Sequence, residues 1–271
     1  MNQTIITVVF SCVVVGISVW LYRMQQKKSS IERTLKQSFS QLWRDILEKE
    51  VSFYLKLNAF EKDLFEKRIR LFLATKTIEG VETTIDDTIR LMVAASAVIP
   101  TFAFPDYNYP YVHSVLIYPN SFNDKYQTNT LDSPGANILG MIGSSSQNGT
   151  VILSKPDLVK AFDGLPHKEN VGIHEFVHLL DKEDGEIDGV PKVLIDNSFV
   201  MPWLVEVKNE IKRIEKGNSD INPYALTNNA EFLAVVSEYF FNNPEKFQRR
   251  HPELYTSLRK IFSQKTAVIK L

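Results

Sequence analysis

From residue 29 onward, apolar side chains recur at spacings of three and four, the period of helices that bury one face. Leu35, Phe39, Leu42 and Ile46 make one stripe after a cap at Ser30, and Phe60, Leu64, Ile69, Phe72 and Leu73 make a second over 59–74. Gly80 breaks the run, and residues 86–98 (DDTIRLMVAASAV) predict an alanine-rich helix that Pro100 stops. Two short apolar runs, HSVLIY at 113–118 and TVIL at 150–153, predict strands. Pro156 opens a short helix to Phe162, and further helices are predicted over 167–181, 202–216, 230–241 and 244–263. The stretch 129–150 is rich in Gly, Ser and Asn and predicts a long surface loop. The pattern is that of an α+β chain, mainly helical, with a small sheet.

The N-terminal segment follows a different pattern. Residues 4–22 (TIITVVFSCVVVGISVWLY) carry no charge, and Arg23, Lys27 and Lys28 follow at once. At 1.5 Å per residue such a helix is roughly 28 Å long, close to the thickness of a bilayer core. Trp20 and Tyr22 suit the interface, and the basic residues after it place the following chain on the cytoplasmic side. The expectation is one N-terminal transmembrane helix. Residues 1–28 would then be an anchor with its basic juxtamembrane segment, and residues 29–271 the folded domain of a single-pass protein of the cell membrane.

Composition narrows the function classes. The chain has 271 residues, 44% of them hydrophobic, enough for a sizeable core, and no composition break argues for a second folded domain. Lys plus Arg is 31 against 32 for Asp plus Glu, with the signs interspersed, so no electrostatic footprint for nucleic acid is present. The one cysteine, Cys12, excludes an internal disulfide framework and a cysteine zinc cluster.

The chemistry sits in the helix predicted over 167–181. His174 and His178 are four residues apart and share one helical face, so both imidazoles can hold one metal ion. Glu175 between them is offset around the helix. This His-Glu-x-x-His arrangement is that of zinc metallopeptidases, with the glutamate as general base on an activated water. A third protein ligand is needed. Glu231, at the start of the helix over 230–241, is one candidate, with Phe232, Val235, Val236 and Tyr239 as an apolar face to pack on the metal helix. Asn228-x-x-Glu231 also has capping-box spacing, so ligand and cap both stand as readings of Glu231. Asp181, on the face of His174 and His178, is the rival ligand or a carboxylate that orients an imidazole. Glu238 is a further candidate for that orienting role. His113 reads as structural, and His167 and His251 as surface polar residues.

HEFVHLLDKEDGEIDGVP at 174–191, followed by YALTNNAEFLAVVSEYFF at 224–241, closely resembles the Mlc titration factor A family of zinc-dependent peptidases. The likeness runs from about Leu42 to Phe262, through WRDILEKEV, VLIYP and VILS. The same two motifs are similar to those of the catalytic domain of anthrax lethal factor. The resemblance implies a zincin-like fold, a Zn²⁺ ion, and Glu231 as the ligand that completes the site with His174 and His178. It implies that Tyr224, seven residues earlier, assists at the reacting carbonyl. It also implies a peptide or protein substrate, aminopeptidase activity, and a regulatory role through binding a protein partner such as a transcriptional repressor. Two departures stand out. The apparent anchor is unlike the family's soluble members, and no histidine lies between His113 and His167, where some members carry one linked to the metal. By analogy with other zinc peptidases, the strand at 150–153 is expected to offer its edge to an extended substrate.

Overall fold

A computed structural model of the chain describes residues 3–121, 140–142, 149–164, 169–264 and 266. The chain divides into two compact units, Met1–Phe39 and Ser40–Leu271. The first is built on one helix, α1 (Gln3–Lys36). It does not stop at Tyr22 but continues through Arg23, Glu32 and Arg33 to Lys36. Among the described residues, no helix is long and apolar enough to cross a membrane. This corrects the expected transmembrane helix over 4–22. The cell-membrane, single-pass location with a cytoplasmic domain rested on that helix and falls with it.

The second unit is mainly helical, with one small sheet. In chain order it runs α2 (Gln41–Glu50), α3 (Ser52–Leu55), α4 (Ala59–Thr75), β1 (Thr77–Gly80), α5 (Asp87–Val98), β2 (Ser114–Tyr118), β3 (Gly140–Ile142) and β4 (Thr150–Ser154). Then come α6 (Lys155–Ala161), α7 (Val171–Asp181), α8 (Asn197–Glu215), α9 (Asn229–Asn242), α10 (Pro244–Arg250) and α11 (Pro252–Phe262). Caps set several starts. Asn58 and Glu61 form a full capping box on α4, Asp86 caps α5 through Ile89 N, and Asn170 caps α7 through Ile173 N. The metal helix therefore begins at Val171, one residue after its cap, and not at 167. Helix α8 begins at Asn197 and carries Pro202 inside it, so the proline does not mark the start that the sequence suggests.

The sheet order is β1-β2-β4-β3. β1, β2 and β4 are parallel, with Thr77 opposite Ser114 and Ser114 opposite Thr150, while β3 runs antiparallel with Gly140 opposite Leu153. Helix α5 supplies the crossover that parallel β1 and β2 require. β1 pairs its Thr77–Gly80 in a stretch where the sequence shows only a break. Both edges of β4 are paired, by β2 and β3, so β4 has no free edge for a substrate strand, which corrects that expectation. The core under the sheet is aromatic and aliphatic. Phe176 of α7 meets Phe72 of α4 and Tyr109 edge-on at 5.7 and 5.0 Å between ring centres. These rings fix α7 from the face opposite its histidines.

Candidate metal centre

Two helices make the site. α7 packs along α9, whose Phe232, Val236 and Tyr239 are buried. That packing lays the start of α9 beside the middle of α7. His174 Nε2 lies 3.0 Å from His178 Nε2 and 3.0 Å from Glu231 Oε2, and His178 Nε2 lies 3.4 Å from the same oxygen. Among the described residues, His174, His178 and Glu231 are a group whose donor atoms all fall within 4.8 Å of one another. The two readings of Glu231 separate by atom. Its backbone N–H donates to the Asn228 side chain and caps α9, while its carboxylate turns to the histidines.

The donor set fits a metal ion. Three ligand atoms at zinc distances of about 2.0–2.2 Å in a tetrahedron stand about 3.3 Å apart, close to the separations here. Two Nε2 atoms pointing at each other at 3.0 Å repel as lone pairs unless a proton or a cation lies between them. The charges favour a positive charge there. Burial disfavours a charged His174, but the Glu238 and Glu231 carboxylates outweigh it and raise the ring's proton affinity well above normal. A cation taking that proton's place meets the same carboxylates. Burial also works against the Glu231 carboxylate, yet its hydrogen bonds to His174 and His178 hold its pKa down to about 2.

Glu238, two turns after Glu231, sits 2.6 Å from His174 Nδ1 through one oxygen and accepts the Asn170 backbone N–H with the other. It holds the ring with Nε2 facing Glu231 and ties the start of α7 to α9. Asp181 is elsewhere. Its oxygens accept the backbone N–H groups of Gly189 and Val190 at 2.9 and 2.8 Å, in the loop after α7, and it is not in the group of His174, His178 and Glu231. Burial nonetheless raises its pKa, more than those two bonds lower it.

Glu175 is 5% exposed, and burial pushes its pKa up, against the pull of His174 and His178. β3 closes over it. A Cβ on Gly140 would stand 2.6 Å from Glu175 Oε1 and 2.8 Å from Val171 Cγ2, so only glycine lets the strand approach this closely. Tyr224 lies in a short turn, Pro223–Leu226, opened by Asn222, whose side chain accepts Tyr224 N–H. Its ring is half-exposed, with its centre 6.2 Å from that of His174. Burial, followed by the charges of Glu231, Glu175 and Glu238, raises the phenol's pKa and keeps its proton on. A cleft of about 290 Å³ brings these groups together, lined by Gly140, Glu175, Ile187, Tyr224, Asn228 and Ala230 with His174, His178 and Glu231.

Of the other histidines, His251 departs from its surface reading. It is 1% exposed, with Nε2 2.8 Å from Asp220 and Nδ1 3.0 Å from Glu210. His113 lies at the mouth of β2, and His167 lies outside the described residues. Sequence reasoning missed Gly140 and Ile187. Only the Gly-Met-Ile triplet inside a glycine- and serine-rich stretch signals the first, and nothing in local pattern signals the second.

Paired helices carrying His-Glu-x-x-His and a distant glutamate define a metallopeptidase-type centre. The comparisons narrow the class. The model for the family "Glucose-regulated metallo-peptidase M90" matches residues 22–263, and the chain belongs to that family. It is 31% identical over 232 residues to "Uncharacterized protein slr2042" of Synechocystis, covering 81% of this chain and 82% of that one. It is 32% identical over 168 residues to "Mlc titration factor A" of Escherichia fergusonii and of Klebsiella pneumoniae, covering 56% of this chain and 59% of theirs. The resemblance to the Mlc titration factor A family is thus found directly, over part of each protein.

Proposed function

We propose that residues 29–271 form a zinc-dependent peptidase domain that hydrolyses peptide bonds, with His174, His178 and Glu231 holding the metal. The convergence of these three donors beside buried Glu175, in one cleft, carries the reading. When bound there, zinc supplies Lewis-acid polarisation and makes water acidic near neutral pH. Glu175 takes the proton of the water that attacks the peptide carbonyl, and gives it to the leaving amine. Its raised proton affinity suits a group that holds a proton between those steps. Tyr224 keeps its phenol protonated and donates it to the oxyanion that develops on the substrate carbonyl. Glu238 fixes the His174 ring, so that the Nε2 atom faces the metal.

Purified protein, incubated with a mixed peptide library, should cleave peptides, lose that activity to a chelator and regain it with zinc. Peptides with free and blocked N-termini distinguish aminopeptidase from internal cleavage. No cleavage in any arm refutes the peptidase reading. A second reading draws on the relatives named for titrating Mlc: the domain binds and sequesters a protein partner, such as a transcriptional repressor. Binding that survives Glu175→Gln and metal removal would favour it.

A further inference from the structure

The loop that joins the metal helix to α8 is held with more bonds than a connector needs. Asp181, fully buried, accepts the backbone N–H groups of Gly189 and Val190 at 2.9 and 2.8 Å. Trp203, fully buried in α8, donates its indole N–H to Gly189 O at 2.7 Å. Gly189 has φ +77, and a Cβ there would stand 2.3 Å from Asn229 O, at the first residue of α9. So this loop is hydrogen-bonded to α7 and α8 and lies close against the start of α9, the helix that carries Glu231. An Asp184–Lys192 ion pair at 2.6 Å draws its two ends together.

What the tethered loop presents is Ile187. Its side chain is 55% exposed and lines the cleft that also holds His174, Glu175, His178, Tyr224 and Glu231. Among the described residues that line the cleft, Ile187 is the largest aliphatic side chain, with Ala230 beside it. A half-exposed isoleucine on a mobile loop would be unremarkable, since single exposed apolar residues are ordinary. One on a loop pinned by buried bonds, at the wall of a polar metal cleft, is positioned to cover an apolar group of a ligand.

We infer that Ile187 is the specificity-determining residue of the cleft, selecting peptides with an aliphatic or aromatic side chain beside the reacting carbonyl. Asp181 is its positioning residue. The inference rests on the peptidase reading of the same cleft and adds the substrate class. One methylene covered in a hydrophobic pocket discriminates by roughly 10–200-fold. An open cleft wall covers one side only, so the lower end, about tenfold, applies here.

The test uses the full-length chain as Glu175→Gln, loaded with zinc, and fluorescent peptides that differ at one position: Gly, Leu, Phe, Lys and Asp. Binding is read by anisotropy, without turnover. Leu and Phe peptides should bind about tenfold tighter than Gly. Ile187→Ser, at an exposed position that does not threaten folding, should bring the Leu-to-Gly ratio to about one. Ile187→Glu should move the preference to Lys. Asp181→Asn should lower the Leu-to-Gly ratio at unchanged zinc content, an effect that a loss of fold stability alone does not produce. A Leu-to-Gly ratio unchanged by Ile187→Ser overturns the inference and leaves the peptidase reading standing. If none of the five peptides is bound by the Glu175→Gln protein or cleaved by the parent, both fall together.

Discussion

Glu238→Gln isolates the carboxylate that holds His174 without touching a metal-site donor. Glu238 gives one oxygen to His174 Nδ1 at 2.6 Å and the other to Asn170 N–H, both in a buried setting. Glutamine keeps the shape but offers one acceptor and one donor. One of the two N–H groups must then face another N–H and lose its partner. Leaving a buried donor unsatisfied costs about 1–3 kcal/mol. Loss of a ligand-orienting carboxylate weakens metal affinity by about 10–100-fold. That range is about 1.4–2.7 kcal/mol at 1.36 kcal/mol per decade, the same size as the unsatisfied donor. The expected result is a zinc Kd raised by about one to two decades in competition with a chromophoric chelator. Melting should fall further for the zinc-loaded than for the metal-free protein, because the substitution also removes part of the metal's stabilisation. A Kd within threefold of the parent would refute the claim that Glu238 orients the ligand. An equal melting loss with and without zinc would make Glu238 a tie between α7 and α9 only.

Three further outcomes are expected. Tyr224→Phe should keep zinc content and KM while kcat falls by roughly ten- to a thousandfold, since the phenol acts on charge that exists only in the transition state; steady-state kinetics beside a zinc assay checks this. Gly189→Ala should cost about 1–3 kcal/mol in chemical denaturation, because its left-handed backbone and the 2.3 Å approach of Asn229 O leave no room for a methyl group. Glu210 has its pKa lowered: burial opposes its charge, but hydrogen bonds to His251 and Ser219 outweigh it. Its contribution to stability is therefore complete above its ordinary value of 4.5 and is lost as pH falls below it, so Glu210→Gln should flatten the acid limb of a stability-versus-pH curve.

The parts of the site legible in sequence are those fixed by helical spacing. His174 and His178 share a face in any helix, and Glu175 is offset in any helix. From spacing alone Glu231 reads as a pair of roles, and the family resemblance is what singles out the ligand, because the third position after a capping Asn is both a cap position and a site facing a neighbouring helix. Only the packing of α9 on α7 aims its carboxylate. Asp181 misled for a related reason. It does share the histidines' helical face, but it sits at the last turn, where its oxygens are taken by the N–H groups of Gly189 and Val190. The sheet was half legible. β2 and β4 announce themselves as apolar runs, whereas β1 is a four-residue TIEG and β3 a three-residue GMI. Neither has enough alternation to register as a strand, and tertiary pairing makes both. The charge-free run at the N-terminus read as a membrane span because hydropathy averages do not show where a helix ends, and α1 carries on into charged residues. His251 looked like a surface residue because its two acidic partners are 41 and 31 residues away in the chain.

The central claim is that Glu175 serves as the base and not as a ligand, in a cleft where His174, His178 and Glu231 hold the metal. The most direct measurement is metal content and peptide turnover on Glu175→Gln, with Glu231→Ala as the reference for a lost ligand. The account predicts that Glu175→Gln retains about one zinc per chain and loses roughly 10²–10⁴ in kcat, while Glu231→Ala comes off the column without zinc. Turnover within a few-fold of the parent in Glu175→Gln, or zinc lost from Glu175→Gln and kept by Glu231→Ala, would contradict it.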